Sequence, residues 1–90
     1  MLITWDHRKN EDNFKKHGVW FEEAATVFFD PLAKTALDNH PGEVRLVTIG
    51  TSEQARLLLV VHYEKDDEEI RIISARPLTK KERKDYEEGI

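Results

Sequence analysis

Residues 56–76 read RLLLVVHYEKDDEEIRIISAR, and the fold follows from this stretch. Two apolar runs, 56–64 and 69–76, are rich in branched side chains and flank an acidic break, the pattern of an antiparallel hairpin. Toward the N-terminus, 33–38 and 44–51 repeat it, with turn-forming residues at 39–42 and 52–55. Together they predict a four-stranded antiparallel sheet, enough strands for independent stability. Alternation puts Arg56, Leu58, Val60, His62 and Glu64 on one face of the third of these strands, and Leu57, Leu59, Val61 and Tyr63 on the other. The same rule groups Ile70, Ile72, Ser74 and Arg76 on one face of the last strand, with Arg71, Ile73 and Ala75 opposite.

Before this region the period is helical. Leu2–Trp5 reads as a short strand, after which Asp6 can cap a helix whose basic last turn, Lys15, Lys16 and His17, suits the helix dipole before Gly18 stops it. Phe21, Ala24, Ala25 and Phe28 form one apolar face of a second helix, which Asp30 and Pro31 end. After Pro77, the Thr79-Lys80-Lys81-Glu82 segment is a capping box that opens a third helix ending near Gly89. The expected fold class is α+β: strand, helix, helix, four antiparallel strands, helix, with the helices on one sheet face and the other face partly open. Residues 1–90 should form a single domain, burying roughly 60–65% of the surface of the unfolded chain.

Composition narrows the function. With 39% hydrophobic and 36% charged residues, the chain is too apolar for disorder and too charged for a membrane protein, and we expect neither a membrane span nor an export leader. The absence of cysteine removes disulfides, thiolate metal sites and cysteine nucleophiles, and fits a reducing cytoplasm. Net charge is −4, and residues 64–69 alone carry that excess. The rest of the chain has bases clustered at Arg8, Lys9, Lys15 and Lys16, and again at Arg71, Arg76, Lys80, Lys81, Arg83 and Lys84. A modest basic face compatible with a polyanion is therefore expected despite the acidic total.

The histidines, His7, His17, His40 and His62, include no i, i+4 pair, so no metal site and no cofactor are expected. No glycine-rich phosphate loop, GxSxG or paired-carboxylate pattern stands out. RNA, however, can be cut by its own 2′-hydroxyl, a reaction that needs a base, an acid and cations facing the phosphorane. Imidazole, phenol and guanidinium suit those tasks. His17, Arg56, His62, Arg76, Arg83 and Tyr86 are the available parts, and Arg83 and Tyr86 are i, i+3 neighbours that Arg76 can meet at one end of the sheet. Each has a simpler structural reading. His17 suits a helix terminus, Arg71 and Arg76 suit ion pairs with the acidic segment, Lys80, Lys81 and Lys84 suit a solvated helix face, and Tyr86 suits packing on Leu78 or Trp20.

Several segments, in order and spacing over nearly the whole chain, resemble the BrnT toxin family of type II toxin-antitoxin systems. They are Trp5-Asp6, Lys16-His17-Gly18-Val19, Phe21-Glu22-Glu23-Ala24, Asp30-Pro31, Val47 to Gly50, Arg56-Leu57, Arg71-Ile72-Ile73-Ser74-Ala75-Arg76, and a final Glu82, Arg83 and Tyr86. The resemblance implies a RelE-like fold, ribonuclease activity that halts translation, and neutralisation by a BrnA-like antitoxin through which alone the protein meets DNA. It also implies working residues on the sheet and last helix, here Arg56, His62, Arg76 and Arg83, joined by His17 and Tyr86, with Lys9, Lys16 and Lys80 as RNA contacts. Two positions depart from the pattern. Trp20 stands where a small hydroxyl residue would cap the second helix, and Pro77 fixes the chain direction into the third. A second functional reading keeps the fold without catalysis, as a module that docks an antitoxin and modulates its DNA binding.

Overall fold

The computed structural model describes residues 1–66 and 68–89, without the side chains of Asn39, His40 and Glu43. Asp67, part of the acidic segment, lies outside the described residues. The elements are β1 (Leu2–Trp5), α1 (His7–His17), α2 (Phe21–Thr26) continuing into a 3-10 turn (Val27–Phe29), β2 (Lys34–His40), β3 (Glu43–Thr51), β4 (Leu57–Lys65), β5 (Glu69–Pro77) and α3 (Lys80–Glu87).

The sheet has five strands in the order β1-β5-β4-β3-β2. β2 to β5 form the expected antiparallel meander, and β1 joins it as a fifth strand, parallel to β5, from Leu2↔Glu69 to Trp5↔Ile72. The expectation of a four-stranded, wholly antiparallel sheet is corrected on both counts. A parallel partner is reached only through a long crossover, so no hairpin signal announces it.

A second correction concerns β5. The ladder shifts between Val61 and His62, which pair with Ser74 and Ile72, so Ile73 is a bulge residue without an opposite number. Ile72 and Ala75 therefore face the same side, both fully buried, while Arg71 and Arg76 pair with Tyr63 and Leu59 on the other. Strict alternation would have turned Arg76 toward the side of Ile72, into the core.

Helices α1 and α2 cover that core side. Val19, Phe21, Ala24, Val27, Leu58, Val60, Ile72 and Ala75 make the buried cluster, and Ile3, Trp5, Ala25 and Phe28 pack against it. Trp5 and Phe21 meet edge to face with ring centroids 6.2 Å apart. The apolar face expected for α2 is present, although the helix tightens to 3-10 geometry after Thr26. Gly50 allows that tightened turn to approach β3, since a Cβ there would stand 3.0 Å from both Ala33 Cβ and Val27 Cγ1.

α1 is unusual in burying asparagines. Asn13 Nδ2 donates to the Val19 carbonyl at 2.9 Å and the Ala75 carbonyl at 2.8 Å, while its Oδ1 accepts from the Ala75 N–H at 3.1 Å. Asn10 donates to Glu22 Oε1 at 2.8 Å and accepts from the Phe21 N–H at 2.7 Å. That last bond answers the departure at Trp20. The indole makes no capping bond, and an amide from the neighbouring helix supplies the cap instead.

α3 opens with the expected capping box: Glu82 N–H donates to Thr79 Oγ1 at 3.1 Å and Thr79 N–H to Glu82 Oε1 at 2.9 Å. It does not share a face with α1 and α2. Arg76, on the opposite face, is bidentate to Glu82 at 2.7 and 2.9 Å, and the Tyr86 hydroxyl donates to the Leu32 carbonyl at 3.0 Å. The expected placement of all helices on one face is thus corrected: α3 crosses the other face at one end, and the bulge that turns Arg76 outward makes this attachment possible.

The grip of Asn13 gives a clear expectation. Asn13→Ala should leave buried peptide groups of Val19 and Ala75 unpaired and cost about 2–4 kcal/mol in urea denaturation. Asn13→Leu, which keeps the volume, should recover little of it; full recovery would mean that packing alone holds α1 to the sheet.

Candidate active site

At the end of the sheet where β4 begins, β5 finishes and α3 passes over, Thr51, Leu57, Arg56, Arg83, Tyr86 and Glu87 line a cavity of about 440 Å³. The two arginines reach it differently. Arg56, immediately before β4, donates from Nε to Glu23 Oε2 at 2.9 Å and from Nη2 to Glu23 Oε1 and to the Gly18 carbonyl. Ser52 Oγ donates to the same carboxylate at 2.7 Å. Glu23 is only 7% exposed, and Arg56 first, then Ser52, holds its carboxyl below the usual carboxylate range; the same pairing raises Arg56. Arg56 is consequently locked in orientation, with Nη1 lacking an acceptor among the described residues.

Arg83, by contrast, projects from exposed α3, and its guanidinium has no partner among the described residues. It also lines an adjoining depression with Lys80 and Lys84. Tyr86 closes the cavity, and burial, helped by Asp30, raises its hydroxyl pKa. It is therefore a donor at neutral pH, committed to Leu32.

The structure thus brings Arg56, Arg83 and Tyr86 together, with Lys80 next to them. His17 ends α1, one residue before the Gly18 whose carbonyl holds Arg56. Lys9 and Lys16 are exposed on α1 and do not line the cavity. Arg76 is occupied by Glu82, whose carboxyl Arg76 and the Thr79 N–H push down to about 2, so its observed contact is the attachment of α3. Sequence reading did not single out Glu23 or Glu87 as site residues. Glu23 left a trace, since it sits i, i+4 between Val19 and Val27, and a carboxylate on an apolar stripe needs a cation.

His62 lies apart, in the core. It is 2% exposed, its Nε2 is 2.8 Å from Thr48 Oγ1, its ring meets Phe28 edge to face at 4.8 Å, and Nδ1 has no partner among the described residues. The alternation that groups it with Leu58 and Val60 is the alternation that buries it.

Among the described residues no cluster of three or more histidine or carboxylate groups is arranged to hold a metal, and no helix is long and apolar enough to cross a membrane. A profile of the ribonuclease toxin BrnT, of type II toxin-antitoxin systems, matches residues 5–82. The chain belongs to the BrnT family. Its fold resembles the crystal structure of the Brucella abortus ribonuclease toxin BrnT, with a TM-score of 0.66 and 23% identity over 89% of this chain and 99% of that one. A search among curated proteins gave no match. The BrnT resemblance drawn from the sequence is borne out, together with the α+β fold class read from its pattern.

Burial depresses the His62 pKa from 6.5 to about 4. Between these values the unfolded chain binds a proton that the folded one refuses, so this residue's contribution to stability is complete above pH 6.5 and declines as pH falls toward 4. Lowering the pH from 7 to 5 should therefore remove about 2 kcal/mol through His62. Denaturation at both pH values should show this loss in the native sequence and its disappearance in His62→Gln. An equal loss in the variant would place the acid sensitivity elsewhere.

Proposed function

We propose that this BrnT-family toxin is a metal-independent RNA endonuclease whose working centre is the Arg56–Arg83–Tyr86 cavity. The observation that carries this reading is the convergence on a single cavity of one fixed guanidinium and one that has no partner among the described residues. Guanidinium forks match phosphate oxygens, and charge developing on a phosphorane is best met by donors already in place.

In this reading Arg56 and Arg83 hold the scissile phosphate. Glu87, the carboxylate among the lining residues, takes the proton of the 2′-hydroxyl as its oxygen attacks the adjacent phosphorus. The bond to the 5′ oxygen breaks, His17 supplies that oxygen with a proton, and the products are a 2′,3′-cyclic phosphate and a 5′-hydroxyl. Tyr86 shapes the cavity wall and stays protonated. Lys80 meets a flanking phosphate beside Arg83, and Lys9 and Lys16 meet RNA farther along α1. Arg76 contributes by holding α3, and His62 by filling the core.

Membership of a type II toxin-antitoxin family supports the following cellular role. RNA cleavage in the cytoplasm halts translation, and a BrnA-like DNA-binding antitoxin covers the toxin and provides its only link to DNA. The rival reading, a non-catalytic docking module, predicts antitoxin binding without RNA cleavage.

Purified protein should cut single-stranded RNA equally well with and without EDTA. Arg83→Ala should lose about 10²-fold or more in rate with its melting temperature unchanged, because Arg83 is exposed and has no partner among the described residues. Arg56→Ala should lose both activity and stability, since it strands the buried Glu23. Full activity of Arg83→Ala would remove the cavity from the mechanism, EDTA sensitivity would remove metal independence, and an inert native protein that still binds its antitoxin would establish the docking module.

A further inference from the structure

Trp20 is an exposed indole with little structural work to do. It stands at the cap position of α2 yet makes no capping bond, Asn10 supplying that bond, and it lies outside the buried cluster. It is 43% exposed and stacks on Phe14, itself 40% exposed, with centroids 4.2 Å apart and ring planes within 11°. A separate, smaller cavity of about 320 Å³ lies between Trp20, Glu22, Glu23 and Gln54.

The chemistry of this cavity suits a planar heterocycle. The Trp20 ring supplies a π-face already steadied by Phe14. The Gln54 side-chain amide has no partner among the described residues and offers both a donor and an acceptor. Glu23 is neutralised by Arg56 and also accepts from Ser52, whereas Glu22 accepts from the uncharged Asn10 amide and keeps its negative charge at the edge of this cavity. Glu23 also connects the two cavities: it lines the one beside Trp20 while its carboxylate grips Arg56, which lines the other. One side chain thus separates the indole from the phosphate-binding cavity. The α1 end that carries Phe14 also carries Lys15, Lys16 and His17.

We propose that Trp20 is a stacking platform for one nucleobase of single-stranded RNA, with Gln54 reading the base edge and Arg56 holding a neighbouring phosphate. Bases on aromatic faces are a general means of gripping single strands, tolerant of base identity. The inference deepens the ribonuclease reading and rests on it. Trp20 is here a substrate-positioning residue whose contact lies beside the reacting phosphate.

A short 2′-O-methyl oligoribonucleotide, which cannot be cut, serves as probe. Trp20→Ala should weaken its binding about tenfold with little change in melting temperature, and Trp20→Tyr should recover most of the loss. Oligonucleotides each lacking one base should include one that binds the native protein as weakly as the intact strand binds Trp20→Ala and that loses nothing further in the variant. Unchanged affinity in Trp20→Ala, or an equal loss with every abasic strand, would overturn the stacking site while leaving RNA cleavage by the native protein intact. A native protein that neither binds the probe nor cuts RNA would overturn both readings. Loss confined to affinity for a protein antitoxin would make the aromatic pair a protein interface instead.

Discussion

The amide of Asn13 is the contact on which the rest of the arrangement depends. It satisfies both polar groups of Ala75 and the carbonyl of Val19, so one side chain fixes α1 to β5 and the same helix to the loop that starts α2. A hydrophobic contact would allow α1 to slide; three directional bonds in a buried site do not, because each carries the penalty of an unmet partner. From that fixed corner follow the position of Gly18, which receives Arg56, and the entry into α2, which brings Glu23 beneath the β3–β4 turn. The Ile73 bulge works alongside this grip. It leaves Ala75 facing Asn13 while turning Arg76 to the other face, so adjacent residues anchor α1 and α3 on opposite sides of one sheet.

An acidic chain that keeps an arginine-lined cavity requires its charges to be separated. The described acids of the β4–β5 hairpin stand at one end of β4 and Arg56 precedes the other, about 26 Å away at the usual rise per residue. That is about three screening lengths at physiological salt, so the net charge of −4 is not the charge met at the cavity. Local pairing matters more. Glu23 and Glu82 each offset an arginine, whereas Arg83 and Lys80 on α3 give that side its free positive charge.

What could be read from the sequence was what is local. The capping box at Thr79, the stop at Gly18, the apolar face of Phe21, Ala24, Ala25 and Phe28, and the alternation through Leu58, Val60 and His62 all follow from neighbours within a few residues. The parallel pairing of β1 depends on residues more than sixty positions away. The bulge was hidden by Ile72 and Ile73, since two successive isoleucines give alternation no marker for the extra residue. Arg56, Arg83 and Tyr86 could be named as reactive types, but the sequence did not reveal that Glu23 would hold Arg56 while no described residue holds Arg83. His62 shows the opposite error. Its chemistry recommended it, and its own strand pattern, taken at face value, already placed it in the core.

The contrast between the two cavity arginines follows from their surroundings. The Glu23–Arg56 pair is asymmetric, with a buried carboxylate and a guanidinium 39% exposed, so the cation occupies the surface end of a fixed dipole. Some of its charge is offset from behind, which reduces long-range attraction but fixes where its open donor points. Arg83 retains its rotamer freedom, on an exposed helix with no partner among the described residues to orient it. A site made only of free arginines would attract anions strongly and lose entropy ordering each side chain; one made only of paired arginines would be rigid but weakly attractive. In the proposed reaction, one of each would let Arg83 draw the phosphate in while Arg56 sets its position, with the conformational cost of fixing Arg56 met during folding.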